Sequence, residues 1–438
     1  MSDPARPVER PGPRALLAWC LYDWANSGFP TVVTTFVFAA YFTKAIAADA
    51  ITGTAQWGYA LSASGFAIAL IGPIAGAIAD HAGRRKPWVF AFSVLCVATT
   101  AFLWFARPEP DAIVLTLLLV AVANVGFETA MVFYNAMLPS LVPESRIGRL
   151  SGWGWGLGYF GGLTCLVIAL VVLVMPETAP FGLDKGSSEH VRATAPLVAI
   201  WFSVFSLPFF LWTPDVPATG LGLGTSIRRG LATLVGTLRR VRDYGAVARY
   251  LLARMIYTDG LNTLFAVGGI YAAVTFGMDE IDVLVFGIAI NVTAGGGAMA
   301  FAWIDDWIGP KRTIVISVSA LTVIGGVLLL IESQTVFWVL ALLLGLFFGP
   351  AQAASRSMMA HLAPPELRAE MFGLYAFSGK ATAFVGPALF AAVTQAADSQ
   401  RAGMATILVF FVVGLVLLAP LRDPGRWSRP LHRPNSRP

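Results

Sequence analysis

Twelve long apolar stretches dominate the chain, at roughly 15–43, 56–79, 87–106, 112–138, 149–175, 195–213, 246–276, 281–304, 312–332, 335–359, 370–396 and 402–421. Each is near or above the ~20 residues that a helix needs to cross the hydrocarbon of a bilayer. Backbone groups in hydrocarbon have no water to bond, so such stretches must satisfy their N–H and C=O groups internally, as helices. An all-α membrane protein of twelve transmembrane helices is therefore expected. Composition agrees: 57% of the 438 residues are apolar and only 13% charged, against ~25% charged in ordinary soluble domains. No remaining stretch is long enough for a separate soluble domain.

The basic residues are unevenly shared among the connecting loops. An even number of crossings puts both termini on one side, together with Arg6, Arg10, Arg14, Arg84, Arg85, Lys86, Arg146, Arg149, the central arginines, Lys311, Arg312 and Arg368. The opposite loops hold Lys44, Arg107, Lys185, Arg192 and Arg401. This asymmetry predicts cytoplasmic termini in a multi-pass protein of the inner membrane. The net charge of +5 then reflects topology and calls for no nucleic-acid partner. Residues 1–14 are polar and Pro-rich, and Asp23 interrupts the first apolar stretch, so that stretch is expected to stay in the membrane as a span. Cys20, Cys96 and Cys165 all fall within spans without paired spacing and read as small apolar fillers.

The chain divides into a tail (1–14), a six-helix bundle (15–213), a linker (214–245), a second six-helix bundle (246–421) and a second tail (422–438). Within the linker, Arg228, Arg229, Arg239, Arg240 and Arg242 alternate with leucines and valines. They predict an amphipathic helix on the cytoplasmic membrane surface, within reach of anionic headgroups. The glycines at 220, 222 and 224 are not followed by the Lys-Ser/Thr of a nucleotide loop.

Two motifs occur once in each half. YDWANSGF (Tyr22 to Phe29) and YTDGLNTLF (Tyr257 to Phe265) place Asp23 three residues before Asn26 and Asp259 three before Asn262. That spacing puts each pair on one helix face. Carboxylates are costly at membrane depth and mark pathways by default, and duplicated polar breaks in matching halves point to a substrate site between repeats. The second motif lies in the loops after spans two and eight. GAIADHAGRRK (Gly76 to Lys86) and WIDDWIGPKR (Trp303 to Arg312) align Asp80 with Asp306, Gly83 with Gly309, Arg85 with Lys311 and Lys86 with Arg312. The glycines permit tight turns, while each Asp can approach a helix N-terminus of the other half.

This loop pattern resembles the signature of the major facilitator superfamily, although Ala302 stands where the second copy would carry its leading Gly. A closer similarity rests on YDWANSGF, on RMIYTDGLNTLFAVGGIYAA (Arg254 to Ala273), on FYNAMLP (Phe133 to Pro139) after Glu128, and on SRSMMAHLAPPELRAEMFGLYAFSGKATAFVGP (Ser355 to Pro387). These segments are similar to the Unknown Major Facilitator family, whose fungal relatives include vacuole amino-acid effluxers connected with autophagy. The resemblance implies two pseudo-symmetric bundles around a cavity lined by spans one, four, seven and ten. It also implies alternating access and small amphoteric solutes such as amino acids.

Three acids (Asp23, Glu128, Asp259) and three bases (Arg254, Arg356, Lys380) lie inside the spans. Charges at that depth are expected to pair or to face a wet cavity. Asp23, Asn26, Asn124, Glu128, Asp259, Asn262 and Lys380 are candidates for substrate or ion binding, with Asn135 beside them. Glu128 is the candidate proton carrier, because a carboxyl in a low-dielectric pocket can exchange protons near neutrality; an inert ion pair with Lys380 or Arg254 is the alternative. Asp80, Gly83, Arg84, Arg85, Asp306, Gly309, Arg254, Arg356 and Gln352 are candidates for gating.

The four histidines have no metal-ligand spacing, and no nucleophile motif sits beside a base. Without an ATP-binding motif, an ion gradient or the substrate's own gradient must drive movement. The expectation is a monomeric secondary transporter of a small polar or zwitterionic solute, without metal or cofactor. The alternatives are a multidrug or metabolite exporter of the same fold and a non-transporting receptor or scaffold.

Overall fold

The computed structural model describes residues 11–239 and 244–423, and everything described as regular in it is helical. Arg6, Arg10, Arg240, Arg242 and most of both expected tails lie outside the described residues.

Among the described residues, eleven helices are long and apolar enough to cross a membrane: Pro13–Ile46, Ala50–Ala82, Lys86–Phe105, Ala112–Leu141, Glu144–Val174, Glu189–Trp212, Ile281–Ile308, Pro310–Leu328, Gln334–Leu362, Pro365–Ala397 and Gln400–Leu418. A twelfth, Gly245–Phe276, sits where span seven is expected. Arg249, Arg254 and Asp259 all fall on it and lower its apolar character. Its burial of Tyr250, Arg254, Tyr257 and Asp259 explains how it holds charge. Span eleven is interrupted: one helix ends at Lys380 and the next begins at Val385.

Caps begin several helices on the face away from the linker. Asp49 accepts the amides of Ile51 and Thr52, both at 2.9 Å, and the Thr52 hydroxyl and amide hold its carboxyl below the usual range. Asp279 accepts the Asp282 amide at 2.7 Å. In span one, Pro30 deprives the helix of one N–H, and the turns from Phe29 to Phe36 widen, with Val37 N–H reaching back to Val32. Such widened turns often accompany functional positions; this one carries Thr31, Thr35 and Phe36 to a cavity.

Spans two and eleven pack along one another, and spans five and eight do the same. Both seams are built from small residues. A Cβ on Gly76 would lie 2.3 Å from the Ala369 carbonyl, and Gly72 and Gly373 meet backbone to backbone. On the other seam, a Cβ on Gly152 would lie 2.6 Å from the Ala298 carbonyl, and Gly156 faces Gly295. Small residues replace the hydrophobic effect as the basis of close helix packing in lipid.

The linker helix spans Leu223–Arg239. It packs against span two, with Gly230 against the backbone of Ala77 and Ile78.

Candidate functional site: a central pathway and its linker-side closure

On the linker side the halves are tied by a charged pair. Arg356 of span ten donates from Nη1 to Asp23 Oδ2 at 2.9 Å and to Asn135 Oδ1 at 3.2 Å. Its Nε and Nη2 reach the Ser151 hydroxyl at 2.9 Å and carbonyl at 2.6 Å. The guanidinium lies 5.0 Å from the Trp19 ring centroid and 5.7 Å from that of Trp155. Arg356 is 1% exposed and Asp23 5%, so the pair is almost dry. A Cβ on Gly154 would come within 2.5 Å of the Asp23 carboxylate; glycine there is what lets the pair close.

The duplicated loop motif makes two matching ties. Asp80 accepts the amides of Ala369 and Glu370, at 3.0 and 2.9 Å, where span eleven begins in the other half. Arg85 Nη2 lies 3.4 Å from the same carboxylate, and its Nη1 donates to the Ala136 carbonyl at 2.6 Å. Asp306 accepts the Arg149 amide at 3.0 Å and lies 3.3 Å from its guanidinium, at the start of span five. Each carboxylate thus meets the positive end of a helix in the opposite half. Gly83 and Gly309 have φ of +88° and +96°, which only glycine adopts without strain. Arg84 is exposed.

The pairing of basic residues differs from the alignment. Lys86 Nζ donates to the carbonyls of Phe210 and Thr213 at the end of span six, and Lys311 Nζ donates to those of Ala419 and Leu421 at the end of span twelve. Lys86 therefore corresponds to Lys311: the turn between helices is two residues shorter in the second copy, and its lysine stands one position further into the helix. Both lysines satisfy carbonyls that a helix end leaves free.

At mid-depth Lys380 Nζ lies 2.6 Å from Glu128 Oε1, again across the halves. These side chains are 30% and 20% exposed, far wetter than Asp23 and Arg356. Asn124, one turn before Glu128, donates to the Ser64 hydroxyl at 2.7 Å.

A hollow of about 240 Å³ is lined by Ser27, Thr31, Tyr159, Asn262, Asn291 and Gln352, among others. It adjoins a second of about 670 Å³, with which it shares Thr35, Phe36, Phe265, Asn291 and Phe348. The larger hollow lies toward the face away from the linker, at Trp57, Tyr271, Phe286 and Phe337, and is mainly apolar and aromatic. The Tyr159 hydroxyl and Gln352 Oε1, 2.5 Å apart, bridge the halves at the smaller one.

Several expected positions are redistributed. Asp23 and Asn26 do not act on one face: Asp23 joins Arg356, whereas Asn26 Nδ2 points to Met131 Sδ at 3.3 Å. Asn262 lines the hollow, but Asp259 turns toward Thr263 and Gly386 of span eleven. A three-residue step turns a helix 60° short of a full circle, enough to separate two surfaces in a crowded bundle. Arg254 is not a tie between halves; it donates to the Tyr375 carbonyl and Ser378 hydroxyl, both at 2.7 Å, within the second half. Glu128 of span four pairs beside span eleven and is not among the residues lining either hollow, whereas Tyr159 of span five and Asn291 of span eight are.

Residues missed by sequence reasoning include Ser151, Tyr159, Asn291 and Asp305. Asp305 is 4% exposed and packs across the halves against Gly148. The crowded glycines from Gly152 to Gly162 were the available signal for Ser151 and Tyr159, since a helix so stripped of side chains must carry a close partner.

A pair of pseudo-symmetric ties closing one end of a two-part helical bundle, with hollows open toward the other, defines a transporter of the major facilitator fold. The proton:xylose symporter XylE bound to 6-bromo-6-deoxy-D-glucose superposes with a TM-score of 0.72 over 93% of this chain and 94% of its own, at 12% identity, which speaks to fold alone. The family described as "Vacuole effluxer Atg22 like" matches residues 45–423, and the chain belongs to that family. An uncharacterized MFS-type transporter, YxiO, of Bacillus subtilis (strain 168) is 31% identical over 92% of this chain and 93% of its own. Autophagy-related protein 22 of Coccidioides immitis (strain RS) is 23% identical over 80% of this chain and 69% of its own.

Proposed function

We propose that this protein is a secondary transporter that carries small polar or zwitterionic solutes, amino acids among them, across the inner membrane by alternating access. The termini and linker are assigned to the cytoplasm, so the state described is closed inward. The observation that carries the reading is the set of three cross-half ties, Asp23 to Arg356, Asp80 to the start of span eleven and Asp306 to the start of span five. All lie on one side of the hollows, and breaking them would open that side. Proton coupling is assigned to Glu128. Its partner Lys380 sits in the other half, so protonating the carboxylate would weaken a contact that spans the pathway.

The polar hollow supplies amide and hydroxyl groups at Asn262, Asn291, Gln352 and Tyr159, suited to a charged or hydrogen-bonding head. A second reading, an exporter of bulkier amphipathic compounds, is favoured by the aromatic lining of the adjoining 670 Å³ hollow. Thermal unfolding of the purified protein against a panel of amino acids, peptides, sugars and hydrophobic cations tests both, because a ligand that binds the folded state must stabilise it. Stabilisation by amino acids supports the first reading. Stabilisation by hydrophobic cations alone supports the second.

A further inference from the structure

The linker helix presents two chemically different faces. Toward span two it buries Ser226, Leu234 and Thr237, with Gly230 so close that a Cβ would lie 2.8 Å from Ile78 Cα. Thr233 Oγ1 is 2.8 Å from His81 Nε2. The strand of linker before it is bonded to the same loop: Thr219 N–H donates to the Ala82 carbonyl and its hydroxyl to that of His81. Asp215 accepts the amides of Arg85 and Lys86 at 2.9 and 3.1 Å. Thr237 stands near Glu370 of span eleven, and Glu370 supplies one of the two amides that Asp80 accepts. One helix therefore touches span two of the first half and span eleven of the second, at the residues that make the Asp80 tie.

The other face is unlike this. Ile227, Leu231 and Val235 recur every four residues and are 38%, 41% and 46% exposed. At 100° per residue, Arg228 and Arg239 flank that stripe on the side away from span two, and Arg228, Arg229 and Arg239 are all exposed. No acidic residue occurs between Leu223 and Arg239. The helix packs on the last turns of span two, at the linker-side end of the bundle. A narrow apolar stripe edged by arginines, with no compensating acid, is complementary to an anionic lipid surface.

We propose that the linker helix is a lipid-sensing latch: its outer face binds anionic headgroups of the adjoining leaflet, and its inner face thereby holds the Asp80 tie shut. Anionic lipid then stabilises the state closed on the linker side. The proposal rests on the cytoplasmic placement of the linker, but its readout needs no substrate, so failure of the substrate panel would leave it standing and its own failure would leave the transport reading standing.

The test is hydrogen exchange of the segment spanning 364–373, which contains the Ala369 and Glu370 amides, in full-length protein held in nanodiscs. Phosphatidylcholine alone is compared with phosphatidylcholine mixed with phosphatidylglycerol, and with phosphatidylcholine plus inorganic phosphate. The anionic lipid is expected to slow exchange about tenfold, and free phosphate to leave it unchanged. Replacing Arg228, Arg229 and Arg239 by Gln should abolish the lipid effect while leaving exchange in phosphatidylcholine as it was. Gly230→Leu, which wedges the helix off span two, should speed exchange in both lipids. Equal exchange in the two lipids, an undiminished lipid effect in the triple variant, or the same slowing by phosphate would each overturn the proposal.

Discussion

Arg356 and Asp23 stand 333 positions apart in the chain and 2.9 Å apart in space. Among the described residues theirs is the driest ion pair between the halves, enclosed by Trp19, Tyr134 and Trp155. Removing one partner from such a pair leaves a buried charge without its counter-ion, at a cost of about 3–5 kcal/mol.

Asp23→Asn should therefore disfavour the linker-side-closed state by about that amount while preserving shape. The variant is expected to reach the membrane and to lose most transport in vesicles. The Asp23→Asn, Asp259→Asn double variant is expected to be inactive. Unchanged flux in it would reduce both carboxylates to packing elements.

Neutralising Asp80 and Asp306 should open the linker side without abolishing binding. Hydrogen bonds to charged groups are worth about 1.5–3 kcal/mol, so each change should shift the population about tenfold or more. Labelling of a cysteine placed at the linker-side mouth should rise accordingly. Unaltered labelling, with unaltered affinity, would make these loops simple turns.

Glu128→Gln should separate transport from the proton gradient. Solute exchange between equal compartments should persist, while accumulation against a gradient should disappear. Wild-type accumulation that survives collapse of the pH gradient would return Glu128 to the role of an ion-pair partner of Lys380.

Gly76→Val tests the seam between spans two and eleven. The added side chain meets the Ala369 carbonyl, and overpacking of this kind costs about 1–3 kcal/mol. Thermal unfolding should fall and linker-side labelling rise together. A fall in stability without a change in labelling would locate the strain in folding and not in closure.

Much of this was legible in the residues. Twelve apolar runs gave the helices because hydrocarbon leaves the backbone no other arrangement, and span seven was recognisable despite Arg254 and Asp259 because the runs around it keep their length. Asp80, Gly83, Asp306 and Gly309 could be located because each depends on a local turn and a helix end. Partner choice was not legible. Arg356 and Arg254 look alike as buried cations, yet one crosses to Asp23 and the other turns to Tyr375 and Ser378. That difference follows from helix rotation within the bundle, and a one-dimensional spacing of three residues does not carry it. For the same reason Asp259 and Asn262 face different neighbours, and nothing in the spacing of span five places Tyr159 opposite Gln352.

The two glycine seams have a consequence for how such a protein can diversify. Surfaces nearly bare of side chains hold little shape-specific preference of their own, so under the proposed alternating access the balance between closed and open would rest on a handful of charges at one end. The lining of the hollows belongs to other faces of the helices. If the halves rock as proposed, hollow-lining residues such as Asn262, Phe265 or Phe348 could be exchanged for a new cargo while the seams stay as they are. Machinery and cargo specificity are separable inheritances in a chain built this way.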